Sequence, residues 1–264
     1  MTRNAHQPHL SRRALRGVST LLVVALLAIA GNFGFCTPLQ TLVGMVGGSD
    51  SQGTASGSSD LSLTDIPAYD GEPTVLIGAD SENPDGAPAF TTREIERAEK
   101  GTFEDYSELD ALGRCGVALA CLGEETMPTS GRGDISEIHP SGWHQRFYDF
   151  VDRQALYNRS HLIAHSLSGE DANERNLITG TRTMNNEGMR PWEERTVSYI
   201  RRTGNHVLYR ATPVFEGDEL VSRGVRLEAR SVEDDGLGLS FDVYCYNVEP
   251  GVQIDYRTGD SWEE

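Results

Sequence analysis

The chain has 264 residues, 38% of them hydrophobic, with 28 glycines and a formal net charge of −17. This length leaves room for one large domain or two small ones once any leader is set aside, and the composition excludes a coiled coil and a disordered chain. The charge excludes a wholly basic nucleic-acid binder, and the four cysteines show no Cys-x-x-Cys pair or Cys/His zinc spacing.

In residues 1–36, Arg3, Arg12, Arg13 and Arg16 precede an apolar run over 18–30, the order and composition of an export signal. Ala28-Ile29-Ala30 offers a small-x-small cleavage site. Apolar character resumes at Phe33 and Phe35, so an uncleaved membrane anchor of about 18 residues fits as well. Either form places the protein outside the cell, released or held at the outer face of the membrane. Residues 37–60 form a linker: positions 47–60 hold nine Gly or Ser in fourteen, a flexible tether. The folded domain is expected over 61–264.

Within that domain, residues 73–77 read as a first strand and 92–100 as a charged helix with a Thr cap. Cys115 and Cys121 are close enough to close a small disulfide loop in an oxidising compartment, and equally suit buried thiols. His161 falls on a strand, 176–181 forms another, and 190–202 reads as a helix with Pro191 in its first turn and Trp192, Val197 and Ile200 facing inward. Three strand-like runs follow over 207–215, 225–232 and 239–248, separated by acidic Gly turns. In the last, Leu239, Phe241, Val243 and Cys245 share one face opposite Ser240 and Asp242, which predicts a meandering antiparallel sheet.

Charge is uneven along the chain. Residues 132–210 carry eleven arginines against ten acids, whereas 211–264 carry four arginines against thirteen acids. The segment with the most suggestive chemistry is therefore an arginine lane on an acidic body.

That chemistry lies in Tyr157-Asn158-Arg159-Ser160-His161-Leu162, with Asn176, Asn185 and Glu193 downstream. Hydrolysis of a phosphodiester needs an activated water and positive charge on the phosphoryl and leaving oxygens. A neutral imidazole at His161 suits the first task. An amide oxygen from Asn185, completed mostly by water, suits one Mg²⁺, with Glu193 holding a metal-bound water. A two-metal site would need several converging carboxylates, and only Glu193 stands at fixed spacing from the asparagines. Arg159 and Arg132 could pair with phosphate oxygens. Gly188 and Pro191 predict a kink or a fresh helix start between Asn185 and Glu193. His161 and His165 form an H-x-x-x-H pair without the glutamate of a zinc protease, and Trp143 and Trp192 suit core anchors better than base-stacking rings.

At these residues the chain resembles the secreted DNA/RNA non-specific endonucleases of the ββα-metal (His-Me finger) group, with the streptococcal-type DNases and the membrane-anchored DNA-entry nucleases nearest in pattern. The likeness includes Ile66-Pro-Ala-Tyr69, Gly113-Arg-Cys-Gly-Val117, Pro140-Ser-Gly-Trp143, Asn158 to His161, Asn176 to Glu193 and Gly259-Asp-Ser-Trp262. It implies an α+β fold with a ββα-metal core on a central antiparallel sheet flanked by helices. It further implies His161 as general base, Asn185 as the Mg²⁺ ligand with Mn²⁺ able to substitute, Asn176 and Glu193 in support, and Arg132 as the upstream phosphate-binding arginine. Asn186 is a rival to Asn185. Relatives read Asp-Arg-Gly-His where this chain has Asn158-Arg159-Ser160-His161. The implied substrate is DNA, with RNA as a second, and no obligate protein partner is implied. The alternative is an inactive nucleic-acid-binding surface module.

Overall fold

Alternating side chains in the C-terminal half build the sheet that the pattern predicts. In this computed structural model, which describes residues 62–264, β6 (Val207–Val214), β7 (Gly224–Ser231) and β8 (Ser240–Tyr246) form an antiparallel meander. The predicted leader and the predicted linker lie outside the described residues. Three shorter strands complete the sheet: β1 (Thr74–Leu76) beside β8, β3 (Ala118–Leu122) beside β6, and β2 (Phe103–Tyr106) at the far edge. The order is β1-β8-β7-β6-β3-β2, antiparallel throughout.

The two faces bury different chemistry. On one, Ala118 and Ala120, Val207 and Tyr209, Val225 and Leu227, and Phe241, Val243 and Cys245 form a large apolar core. The other face was expected to be polar, and it is polar but not solvated. Arg210 and Glu228 pair there at 2.7 Å, and Arg226 and Asp242 at 2.6 Å, with all four side chains buried. Helix α1 (Thr92–Ala98) covers part of this face. It opens on a Thr91–Glu94 capping box, and Glu94 also reaches Arg210 at 3.0 Å. Burial pushes Asp242 up to about 6 despite Arg226, while the Arg210 guanidinium holds Glu228 below its usual range against the same burial.

Cys115, Cys121 and Cys245 are buried free thiols. Cys115 packs into the large core and Cys121 into a separate cluster with Ala98 and Leu208, so the Cys115–Cys121 loop considered from spacing is not formed. Cys36 lies outside the described residues.

A separate two-stranded ribbon carries the His161 motif. β4 (Tyr157–His161) pairs antiparallel with β5 (Leu177–Thr181), His161 opposite Leu177. Short α2 (His165–Ser168) lies in the connection, and α3 (Arg190–Thr203) follows. Leu162, Ile163, Ile178, Met184, Tyr199 and Ile200 seat this ββα unit on the apolar face of the sheet. Gly188 makes that approach possible, because a Cβ there would stand 3.2 Å from the Cβ of Cys245. A small hairpin, β9 (Val252–Ile254) with β10 (Ser261–Glu263), closes the chain.

Candidate active site

The ribbon and α3 wall a cleft of about 1000 Å³, lined by His161, Arg132, Arg159, Asn185 and Glu193 among others. Five of the six residues singled out from sequence therefore share one cavity, and the sixth, Asn176, lies behind it.

His161 ends β4 and is 7% exposed. Its Nδ1 lies 3.1 Å from Nη2 of Arg132, and its Nε2 lies 3.2 Å from the carbonyl oxygen of Asp171. A guanidinium only donates, so Nδ1 must accept and the ring proton sits on Nε2, where it donates to Asp171. The lone pair thus points at the cleft. Burial, with the Arg132 charge second, lowers His161 to about 4, so the ring is neutral at pH 7.

Asn176 is fully buried and positions the chain just beyond His161. Its Oδ1 accepts from the amide of Ile163 at 2.8 Å, its Nδ2 donates to the carbonyl of Ile163 at 3.0 Å, and its own carbonyl accepts from Leu162 at 2.9 Å. It acts as a clamp between the two ends of the ribbon's connection.

Asn185 and Glu193 were expected to straddle a kink or a helix break. Instead residues Met184–Met189 form a π-helical turn that runs directly into α3, the amide of Arg190 bonding to the carbonyl of Asn185. Residues eight apart on an α-helix lie about 80° apart, but one residue absorbed in the wider turn leaves seven steps, within about 20° of two full turns. Both side chains consequently face the cleft. Pro191, in the first turn of α3, sits where its missing amide is harmless. Burial raises Glu193 to about 8, reinforced by Glu194 and opposed by Arg190 and Arg132.

The rival asparagine is otherwise engaged. With its amide oxygen toward Arg182, Asn186 accepts from Nε at 2.8 Å and Nη2 at 3.2 Å. In that orientation the 3.4 Å contact between Nδ2 of Asn185 and the Asn186 amide joins two donors, and no other side-chain hydrogen bond holds Asn185 among the described residues. Its carboxamide is otherwise open to the cleft.

Arg159 differs from its expected role. Nε donates to the carbonyl of Ile138 and Nη2 to that of Ser136, and the guanidinium lies 4.3 Å from the Trp143 ring centre. The fork foreseen for phosphate instead ties down the loop that follows Arg132. Trp192 anchors the core against Phe241, ring centres 5.0 Å apart.

Sequence reasoning missed Asp171 and Arg182. Asp171 works through a backbone carbonyl, which any residue type supplies, so no signal could have revealed it. Arg182 bonds Asp152 at 2.7 Å and Asn158 at 3.1 Å besides Asn186, and joins the loop before β4 to the π-turn. Asn158 accepts from Arg182 through Oδ1 and leaves its buried Nδ2 without a partner.

The donor set fits one hard divalent cation. An open amide oxygen and the carboxyl group of Glu193, which a bound cation would draw into its ionised form, share the cleft, and the described residues contain no cluster of three His, Cys, Asp or Glu that would form a closed site.

An antiparallel ribbon followed by a helix, with histidine on the first strand and asparagine at the helix start, defines a ββα-type site. Residues 93–233, more than half of the chain, match the model of the DNA/RNA non-specific endonuclease family, and the protein belongs to that family. A deoxyribonuclease of Streptococcus dysgalactiae subsp. equisimilis is 35% identical over 109 residues, 39% of this chain and 32% of that protein. The chain thus spans about a third of the length of this relative. Among solved structures, NucA from Streptococcus agalactiae with magnesium bound superposes with a TM-score of 0.56 at 24% identity, over 62% of this chain and 80% of NucA, a likeness of fold. The Sda1 nuclease with bound zinc gives 0.53 at 30% identity, over 61% of this chain and 82% of Sda1.

Proposed function

We propose that this protein is an exported, Mg²⁺-dependent endonuclease that hydrolyses the phosphodiester backbone of DNA, and of RNA as a second substrate, with little sequence preference. The observation that carries this reading is the His161 lone pair at Nδ1, directed into a cleft that also holds Asn185, Glu193 and Arg132.

Asn185 would hold Mg²⁺, with Glu193 orienting a water beside it; when bound, the ion supplies positive charge to the phosphoryl and leaving oxygens. Arg132 leaves Nδ1 for a phosphate oxygen, and His161 then takes the proton of a water whose oxygen attacks phosphorus. The bond from phosphorus to the 3′ oxygen breaks, its electron pair staying on that oxygen, which takes a proton from solvent water to leave a 3′ hydroxyl and a 5′ phosphate. The carbonyl of Asp171 fixes the tautomer throughout, as a hydrogen-bonded second nitrogen does for catalytic imidazoles generally. Phosphate contacts without readout of base edges account for loose sequence preference. The arginine-led apolar segment before the domain supports a site of action outside the cell, with Mn²⁺ an expected substitute for Mg²⁺, and the magnesium bound by NucA and the zinc bound by Sda1 support a divalent ion.

Incubating the purified full chain with plasmid tests the proposal. Cleavage should require Mg²⁺, stop with EDTA, and fall by at least ~1000-fold in His161→Ala. Wild-type protein that retards plasmid in a gel without cutting it would identify a binding module instead. Activity unaffected by Mg²⁺ and lost to a zinc-selective chelator would assign the chemistry to zinc.

A further inference from the structure

Phe147 is the most exposed large aromatic side chain among the described residues, at 72%, and Phe150 follows at 52%. Both stand on the loop that leads into β4. Its backbone is closed on itself: Leu156 donates to the carbonyl of Arg146 at 3.0 Å, Tyr148 to that of Gln154 at 2.8 Å, and Gln154 to that of Val151 at 2.7 Å. Arg153 and Gln154 take left-handed conformations, φ 58° and 64°, which residues with a Cβ rarely adopt. Underneath, Val151 and Leu156 are buried with Tyr157 and Val252, and the Tyr148 hydroxyl meets that of Ser261 at 2.8 Å. The loop is thus anchored from below and keeps two aromatic rings turned outward.

The loop is also continuous with the cleft, since Gln145 and Arg153 line it and Arg182 in its wall pairs with Asp152. The charges on the loop select a partner. Asp152 is neutralised by Arg182, and Asp149 accepts from Gln154 Nε2 at 3.2 Å. Arg146 and Arg153, both exposed, make no side-chain hydrogen bond or salt bridge among the described residues, although the Arg153 charge helps Arg182 lower Asp152. Exposed guanidiniums interleaved with Phe147 and with Phe150, whose ring leans on Tyr148 at 5.6 Å between centres and leaves its other side to solvent, stand beside a site for phosphodiester chemistry and match a nucleic-acid strand whose bases are unpaired: phosphates meet the arginines and bases stack on the rings.

We propose that Phe147 and Phe150 form a stacking platform that receives unpaired bases of the substrate strand, with Arg146 and Arg153 on its phosphates, so that single strands are favoured over duplex. This rests on the nuclease reading above. The test is the binding of fluorescein-labelled dT12 by the full chain carrying His161→Ala, followed by anisotropy, with a twelve-base-pair duplex alongside. Adding Phe147→Ala or Phe150→Ala should weaken dT12 binding about tenfold each, the change that one base–aromatic stack carries, and should weaken duplex binding less. Phe147→Trp should keep the affinity, Phe147→Leu should lose it as alanine does, and Leu237→Ala, an exposed apolar side chain on the β7–β8 turn, should change nothing. Unchanged dT12 affinity in both alanine variants, equal losses on duplex, or full affinity with leucine would overturn the platform; the last would point to a protein or lipid partner. If dT12 affinity is insensitive while the wild-type chain cuts plasmid, the platform alone fails; if the wild-type chain cuts nothing, the nuclease reading fails.

Discussion

Nη2 of Arg132 stands 3.1 Å from Nδ1 of His161, so the lone pair that would accept a proton from water is covered by a cation. Since guanidinium and anion attract, a phosphate entering the cleft competes for Arg132 and uncovers the ring. The same arrangement keeps the ring neutral well below its ordinary range.

The first prediction concerns that ring's titration. An ordinary histidine protonates near 6.5, whereas burial and Arg132 lower His161 to about 4. The folded protein therefore binds one proton fewer than the unfolded chain between about 4 and 6.5, and stability from this group is lost as pH falls through that window. Arg132→Gln should raise the value, because it removes the second-largest cause. An NMR titration of the ring in metal-free protein checks this, and a midpoint that stays near 4 would show that Arg132 does not act on His161.

Asn185 and Asn186 should separate cleanly. Asn185→Ala removes the open amide oxygen and should lower Mg²⁺-dependent cleavage by at least ~100-fold, with weaker metal binding. Asn186→Ala removes only a partner of Arg182, which keeps Asp152 and Asn158, and should lower cleavage by less than ~10-fold. Rates measured across Mg²⁺ concentrations decide the matter, and the reverse ranking would move the ligand to Asn186.

Asn176→Ala should destabilise the protein by about 2–4 kcal/mol, since it strands both the amide and the carbonyl of Ile163 in the interior. Urea unfolding gives the stability. Activity should drop in folded protein at temperatures far below its melting point, because the chain after His161 loses its clamp.

On the opposite side of the sheet, Arg210→Ala should cost about 3–5 kcal/mol without changing the chemistry of the cleft. It leaves Glu228 buried beside Glu94 and severs β6 from the segment carrying Ala89. Thermal melting compared with Arg210→Met, which restores volume but not charge, separates packing from ion pairing.

His206 gives a dependence of opposite sign. Its ring bridges Glu233 and Glu125, and the hydrogen bond it donates to Glu233 raises it above 6.5. Its contribution to stability is complete below the unfolded value and disappears as pH rises through the folded one. Melting temperatures of wild type and His206→Gln should therefore differ most in mild acid and converge in base; a constant difference would refute the link.

Two properties determine what could be read without coordinates. The strands of the meander and the helix after Asn185 were legible because a side-chain period of two or 3.6 is imposed by local backbone geometry. His161, Asn185 and Glu193 were singled out as a set through the resemblance of their intervals to the endonuclease family's pattern, and the structure brings all three to one cleft. Tertiary structure alone decided the rest. The orientation of the ring depends on the carbonyl of Asp171, and the common facing of Asn185 and Glu193 depends on a π-turn rather than a break. The fork of Arg159 closes on two carbonyls brought from another loop, and the polar face of the sheet is buried in part by α1 and in part by the segment carrying Asp85 and Gly86. Each of these is set by contacts between segments distant in sequence, whose partners leave no periodic mark on the residues they hold.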